Sequence, residues 1–173
     1  VGALSRREAE ALAQQLTAAL PAGEKLPATA EVSLPKFAEV HLPHPAAQAH
    51  IHLGLPALKR GDPDFYALIV GNYTLGGGGF VSRLMKEVRD KRGFAYSVYS
   101  YFAPMQVAGP FQIGLQTKRA QAGDALKVTR EVLQQFLAEG PSEAELAAAK
   151  ANIVGSFPLR LDSNRKILDN VAT

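Results

Sequence analysis

The sequence predicts an α+β fold, an antiparallel sheet packed against helices. Apolar residues recur at helical spacing over several stretches, while other segments alternate β-branched or aromatic residues with polar ones. These stretches follow one another in blocks: helix, two strands, two helices, two strands, then helices. That order suits an antiparallel sheet with helices on one side better than a parallel βαβ chain. At 173 residues, 47% of them hydrophobic, the chain can bury one sizeable core.

Ser5-Arg6-Arg7-Glu8 reads as a capping box opening an amphipathic helix to about Leu20, with Ala9, Leu12, Leu16 and Leu20 on one face. Pro21, Gly23 and Pro27 end it, and residues 21–35 carry little pattern. Residues 36–42 and 46–55 read as two strands. In the second, Ala49, Ile51, Leu53 and Leu55 alternate with His50, His52 and Gly54. Asp62-Pro63 is a helix start, and Phe65, Leu68, Ile69 and Leu75 mark the inner face of a helix ending at Gly76. Gly76 to Gly79 read as a sharp turn into a second helix, Val81 to Lys91, with Leu84, Met85 and Val88 inward and Gly93 just past its end.

Residues 94–103 and 109–118 read as a hairpin of two strands. Gln121 to Glu139 is a helix, with Ala125, Val128, Val132, Leu133, Phe136 and Leu137 inside. Gly140-Pro141 breaks it, and Ser142-Glu143-Ala144-Glu145 caps another helix to about Phe157. After Pro158 a last helical segment runs from Ser163 to Thr173. The start at Val1-Gly2 and this unfinished helix read as cuts through a longer protein.

Composition narrows the function. A formal charge of +3 spread over mixed acidic and basic residues is an ordinary solvated surface. No cysteine is present, which excludes disulfides and Cys-based metal or redox sites, and is compatible with either a periplasmic or a cytoplasmic setting. No apolar run approaches the ~20 residues of a membrane span. The four glycines lack both the Lys-Ser/Thr of a phosphate-binding loop and dinucleotide spacing. Arg92 to Tyr99 approaches an RNA-binding strand, but Ser97 stands where Val belongs and the partner strand is missing. Neither pattern supports a nucleic-acid partner.

His50 and His52 share one strand face at a spacing zinc can use, which leaves an independent zinc-binding module as one reading. No third ligand is evident, and neither His-x-x-Glu-His nor His-Glu-x-x-His occurs anywhere in the chain. Arg89 and Tyr96 lie seven residues apart, at a helix end and a strand start. On pattern alone, they read as a solvated helix-end cation and a core or edge aromatic. Brought together, a guanidinium and a phenol are donors suited to a peptide carbonyl or an oxyanion, because both residue types keep their protons at neutral pH.

Leu75-Gly76-Gly77-Gly78-Gly79-Phe80-Val81-Ser82-Arg83-Leu84, followed by Glu87-Val88-Arg89-Asp90-Lys91-Arg92-Gly93-Phe94-Ala95-Tyr96-Ser97-Val98-Tyr99, resembles the second-domain signature of the pitrilysin/insulinase-type zinc peptidases. The likeness covers nearly the whole chain, since residues 36–55 resemble that family's paired strands and the later helices its closing helices. It implies a division into 1–22, the close of a preceding domain; 23–35, a linker; and 36–173, a second α/β domain truncated at its C-terminus. It also implies that Arg89 and Tyr96 bind peptide substrate and stabilise the tetrahedral intermediate at a zinc site elsewhere. By the same likeness, zinc sits in a zinc-bearing peptidase subunit, in a second copy of the full-length chain or in an upstream domain, and this chain is the zinc-less partner, with no cofactor of its own. Relatives of this fold also serve as structural scaffolds, so a non-catalytic subunit is the alternative.

Overall fold

Three strands, β1 (Gln48–Leu58), β2 (Ala95–Phe102) and β3 (Gly109–Lys118), form an antiparallel sheet in the order β1-β3-β2. The computed structural model describes residues 2–34, 36, 38–42 and 44–172. Its contacts divide the chain into two units, Val1–Ala28 with Asn152–Thr173, and Thr29–Ala151. The sheet lies wholly in the second unit. The helices are α1 (Arg6–Ala18), α2 (Phe65–Asn72), α3 (Ala122–Glu139), α4 (Glu143–Ser156) and α5 (Asn164–Ala172). The expected α+β class with an antiparallel sheet is the one observed.

The core of the second unit forms on one face of the sheet. Val98, Phe111, Ile113 and Leu115 meet Leu75, Leu84, Met85 and Val88 below the sheet, with Ala125 and Val132 of α3 beside them. All of these are buried, so the helical periodicity locates Leu75, Leu84, Met85, Val88, Ala125 and Val132 correctly, whereas Leu137, expected inside α3, is 74% exposed. Ile51 and Leu53 of β1 pack at its margin. The opposite face carries His50, His52, Tyr99, Tyr101, Gln112 and Gln116, all polar or amphipathic and mostly exposed.

Two β-bulges set which side chains face the core. In β2, Ala95 pairs with Thr117 and Val98 with Leu115, so Tyr96 and Ser97 together stand opposite Gln116. The extra residue resets the alternation. It lets Ala95 and Val98 both point inward and leaves Tyr96 and Ser97 both exposed. In β1 a similar irregularity between Pro56 and Leu58 turns Leu58 into the interior.

Several expectations are corrected. Residues 36 and 38–42 are not strand, and Phe37 lies outside the described residues. Val40 and Leu42 are exposed, and among the described residues β1 pairs only with β3, so this segment has no ladder to join. Asp62 does not cap α2. Its Oδ1 accepts from the Asp64 amide (3.0 Å), making a local turn, and the helix begins at Phe65.

The helix does not simply stop at Gly76. It widens into a π-helical turn, Tyr73–Gly77, closed by Gly78 N–H to Tyr73 O (2.8 Å). A 3₁₀ turn, Gly79–Val81, follows, with Gly79 at φ 61°. The next helix is short: Arg83 and Leu84 run into a π-helix, Met85–Asp90. Gly93, at φ 63°, then closes that end by donating to Arg89 O (2.8 Å), as expected of a glycine just past a helix.

In the first unit, the Ser5–Glu8 capping box is formed on both sides. α1 ends at Ala18, with Leu12 and Leu16 exposed. Val1 and Thr173, the two ends of the expected terminal elements, lie outside the described residues.

Candidate functional site

The helix end and the strand start do bring Arg89 and Tyr96 together. The guanidinium carbon of Arg89 lies 5.8 Å from the centroid of the Tyr96 ring. A third residue joins them: the same carbon lies 5.0 Å from the centroid of Phe80. Arg89 is thus held against two aromatic faces, an arrangement that orients a guanidinium without using up its donors. Its Nη1 donates to Asp90 Oδ1 (2.7 Å), and no other protein acceptor engages it among the described residues. Tyr96 is 88% exposed, displayed by the β2 bulge.

Each partner is fixed by its own element. Arg89 sits in the last turn of the π-helix, whose Met85 and Val88 are buried. Glu87, on the same turn, is held below the usual carboxylate range by Lys91 (2.6 Å) and Arg92 (2.7 Å). The helix start is tied down by Arg83, whose Nε and Nη2 grip Glu145 at 2.9 and 2.7 Å while Nη2 also donates to Gly140 O (2.9 Å). The glycine turn is locked to β2 by a buried pair. Ser100 Oγ donates to Asn72 Oδ1 (2.6 Å), and Asn72 Nδ2 donates to Ser100 O (3.0 Å).

Two hollows adjoin Tyr96. One, of about 400 Å³, lies between the glycine turn and β2 and is walled by Gly76, Gly77, Gly79, Phe80, Met85 and residues 96–101. The other, of about 140 Å³, lies on the open sheet face between His50, His52, Tyr96, Ser97, Tyr99, Leu115 and Gln116. A larger groove of about 840 Å³ lies along Leu55, α2, Phe102 and the second half of α3. Its lining is mostly apolar; of its polar residues Tyr66, Asn72 and Lys150, the Asn72 amide is already taken by Ser100.

The residues do not fit a zinc site. His50 and His52 share the open face as expected, but His52 Nδ1 stands 2.6 Å from Gln112 Nε2 and so accepts from that amide. Gln112 Oε1 in turn accepts from Tyr101 (2.8 Å). Among the described residues no group of three or more His, Cys, Asp or Glu is placed to hold a metal ion. No helix among them is long and apolar enough to cross a membrane.

The sequence reading passed over Phe80, Arg83 and the Asn72–Ser100 pair as site-building residues. The available signal for Phe80 was an aromatic directly after four glycines, where no amphipathic face exists to bury it. Arg83 and Asn72 gave none, since their partners lie 62 and 28 residues away.

The family model described as peptidase M16 inactive domain matches residues 1–153. Among curated relatives, an uncharacterised zinc protease of Streptomyces coelicolor is 38% identical over 124 residues, 72% of this chain and 27% of the relative. An uncharacterised zinc protease, YmxG, of Bacillus subtilis is 37% identical over 124 residues, 71% of this chain and 30% of the relative. A non-peptidase homolog of Helicobacter pylori is 35% identical over 114 residues, 65% of this chain and 26% of that protein. The chain therefore spans under a third of the length of these relatives. Among solved structures, the peptidase M16 inactive domain from Pseudomonas fluorescens superposes with a TM-score of 0.88 at 44% identity, covering 98% of this chain and 40% of that one. A protease from Helicobacter pylori shares the fold at a TM-score of 0.66 and 22% identity, covering 72% of this chain and 30% of that one.

Proposed function

The chain belongs to the peptidase M16 inactive domain family, and on that premise we propose that it forms one wall of a peptide-binding site, where Arg89 and Tyr96 donate hydrogen bonds to a substrate carbonyl. The observation that carries this reading is the convergence of the two side chains beside an open cleft. A charged guanidinium and a phenol, both held on rigid elements, stabilise negative charge developing on the carbonyl oxygen without having to reorganise. Zinc, in this reading, is held by another subunit or an upstream domain. The relatives named zinc proteases and the lack of a ligand cluster among the described residues support that assignment. Residues 1–22 then close a preceding domain, 23–35 link, and 36–173 form the second.

The test uses the full-length protein with its zinc-bearing subunit and follows cleavage of a fluorogenic peptide. Arg89→Ala and Tyr96→Phe each lower kcat by about 100-fold or more, with unchanged melting temperature. Turnover within about threefold of wild type in both variants overturns the reading. The scaffold alternative draws support from the relative named a non-peptidase homolog. It requires a complex that assembles equally well with either variant and whose turnover ignores both.

A further inference from the structure

We infer that Phe80 is a positioning residue, its ring setting the plane of the Arg89 guanidinium so that the unused donors of Arg89 are aimed at a substrate carbonyl. The inference rests on the proposed role of Arg89 and adds to it a residue that acts only through that side chain. Its starting point is an aromatic residue that the core does not need. Phe80 is 69% exposed and lies outside the buried cluster. The one ring interaction it makes among the described residues is with Arg89, whose guanidinium carbon lies 5.0 Å from its centroid. That distance falls inside the ~6 Å over which a ring face attracts a cation. Arg89 is correspondingly well covered for a surface cation, its side chain only 33% exposed.

The carboxylate and the ring restrain different motions. Asp90 Oδ1 accepts from Arg89 Nη1 at 2.7 Å, which fixes one corner of the guanidinium but lets its plane pivot about that bond. A ring against the guanidinium removes the pivot without consuming a donor. Nε and Nη2 then remain for a ligand, since no other protein acceptor engages Arg89 among the described residues. Tyr96 is poorly suited to hold the plane by itself. Its ring lies farther off, at 5.8 Å, and in the proposed role its hydroxyl is bound to the substrate. The Phe80 side chain has no polar atom and serves as a platform alone.

The backbone beneath that platform is fixed. Gly79 takes φ 61°, a conformation glycine adopts without strain. Ser82, wholly buried, closes the 3₁₀ turn from both its amide (3.0 Å) and its hydroxyl (2.7 Å), each donating to Gly79 O. Phenylalanine has fewer side-chain torsions than arginine, so a ring on a rigid turn is ordered at lower entropic cost than the guanidinium it restrains.

The experiment is steady-state cleavage of a fluorogenic peptide by the full-length protein with its zinc-bearing subunit, with melting temperatures measured alongside. Phe80→Ala and Phe80→Leu each lower kcat about fivefold with KM within about twofold of wild type, whereas Phe80→Tyr, which keeps a ring face, stays within about twofold in kcat. Leucine retains apolar bulk without a π face and so separates the ring from simple packing. In an Arg89→Ala background Phe80→Ala produces no further loss, because no guanidinium is left to hold. The Phe80 variants keep the wild-type melting temperature, since the side chain is largely exposed. Wild-type kcat in Phe80→Ala or Phe80→Leu, a Tyr variant as slow as the Ala variant, or a loss that persists in the Arg89→Ala background overturns the positioning role. A raised KM at unchanged kcat overturns it too, because Phe80 then binds substrate directly. In each of these cases a loss of about 100-fold in Arg89→Ala alone leaves the proposed function standing. Wild-type turnover in Arg89→Ala overturns both.

Discussion

Glu145 is the residue on which the packing of the short Arg83–Asp90 helix is most open to measurement. Its carboxylate accepts from Arg83 Nε and Nη2 at 2.9 and 2.7 Å and from the Ser142 amide and hydroxyl at 2.8 and 2.9 Å. Both partners are mostly covered, with side-chain exposures of 19% for Arg83 and 27% for Glu145. Chiefly through Arg83, the carboxyl is brought down from 4.5 to about 2. Because the folded-state value is depressed, the stabilisation is fully present above pH 4.5 and is lost as pH falls towards 2. The full shift corresponds to a ceiling of about 3 kcal/mol, more than half of it gone by pH 3, and solvent screening brings the neutral-pH effect to about 2 kcal/mol.

Glu145→Gln keeps an acceptor for the capping box and removes only the charge. The assay is urea unfolding followed by tyrosine fluorescence from pH 7 to pH 2.5. The chain has no tryptophan, and all five tyrosines lie within Thr29–Ala151, so the signal reports that unit alone. The expected result is a variant about 2 kcal/mol less stable at pH 7 whose deficit closes as the pH falls below 4.5. Glu87 also loses stabilisation in acid, but it does so in both proteins and cancels in the comparison. A deficit under about 0.5 kcal/mol at pH 7, or one that stays constant down to pH 2.5, refutes the argument.

Two further outcomes probe the glycine turn. Gly76→Ala costs about 3 kcal/mol or more by urea unfolding, because the new methyl meets Ser100 Oγ, Ser100 N and Leu84 Cδ1, and the backbone nitrogen at 2.6 Å cannot swing away; a loss under about 1 kcal/mol shows that the turn can shift off β2. Asn72→Ala strands the buried Ser100 hydroxyl and costs about 1–3 kcal/mol, while a double-mutant cycle with Ser100→Ala returns a coupling of about 1 kcal/mol or more; additivity of the two substitutions means that the pair does not act as a lock.

Much of the fold was legible in the chain because burial at regular spacing is a local property. Leu84, Met85 and Val88 fell at helical intervals and are buried together; the edges of β2 and β3 were found to within a residue. Failures occurred where geometry departs from a fixed period. The β2 bulge breaks strict alternation between Ala95 and Val98, and the widened helical turns at Tyr73–Gly77 and Met85–Asp90 have no distinct residue pattern. The strand expected at 36–42 shows the converse: the described residues 36 and 38–42 join no ladder.

By itself, the sequence determined the α+β class, the Ser5 and Ser142 capping boxes, the inward residues Leu84, Met85 and Val88, and the family, since each is written in residue types at short intervals. Tertiary structure alone decided which groups stand side by side: Phe80 and Tyr96 against Arg89, Glu145 against Arg83, and Asn72 against Ser100. Those contacts join segments far apart along the chain, and their geometry depends on strand register and helix pitch. A single bulged residue in β2 determines whether Tyr96 faces the core or the cleft.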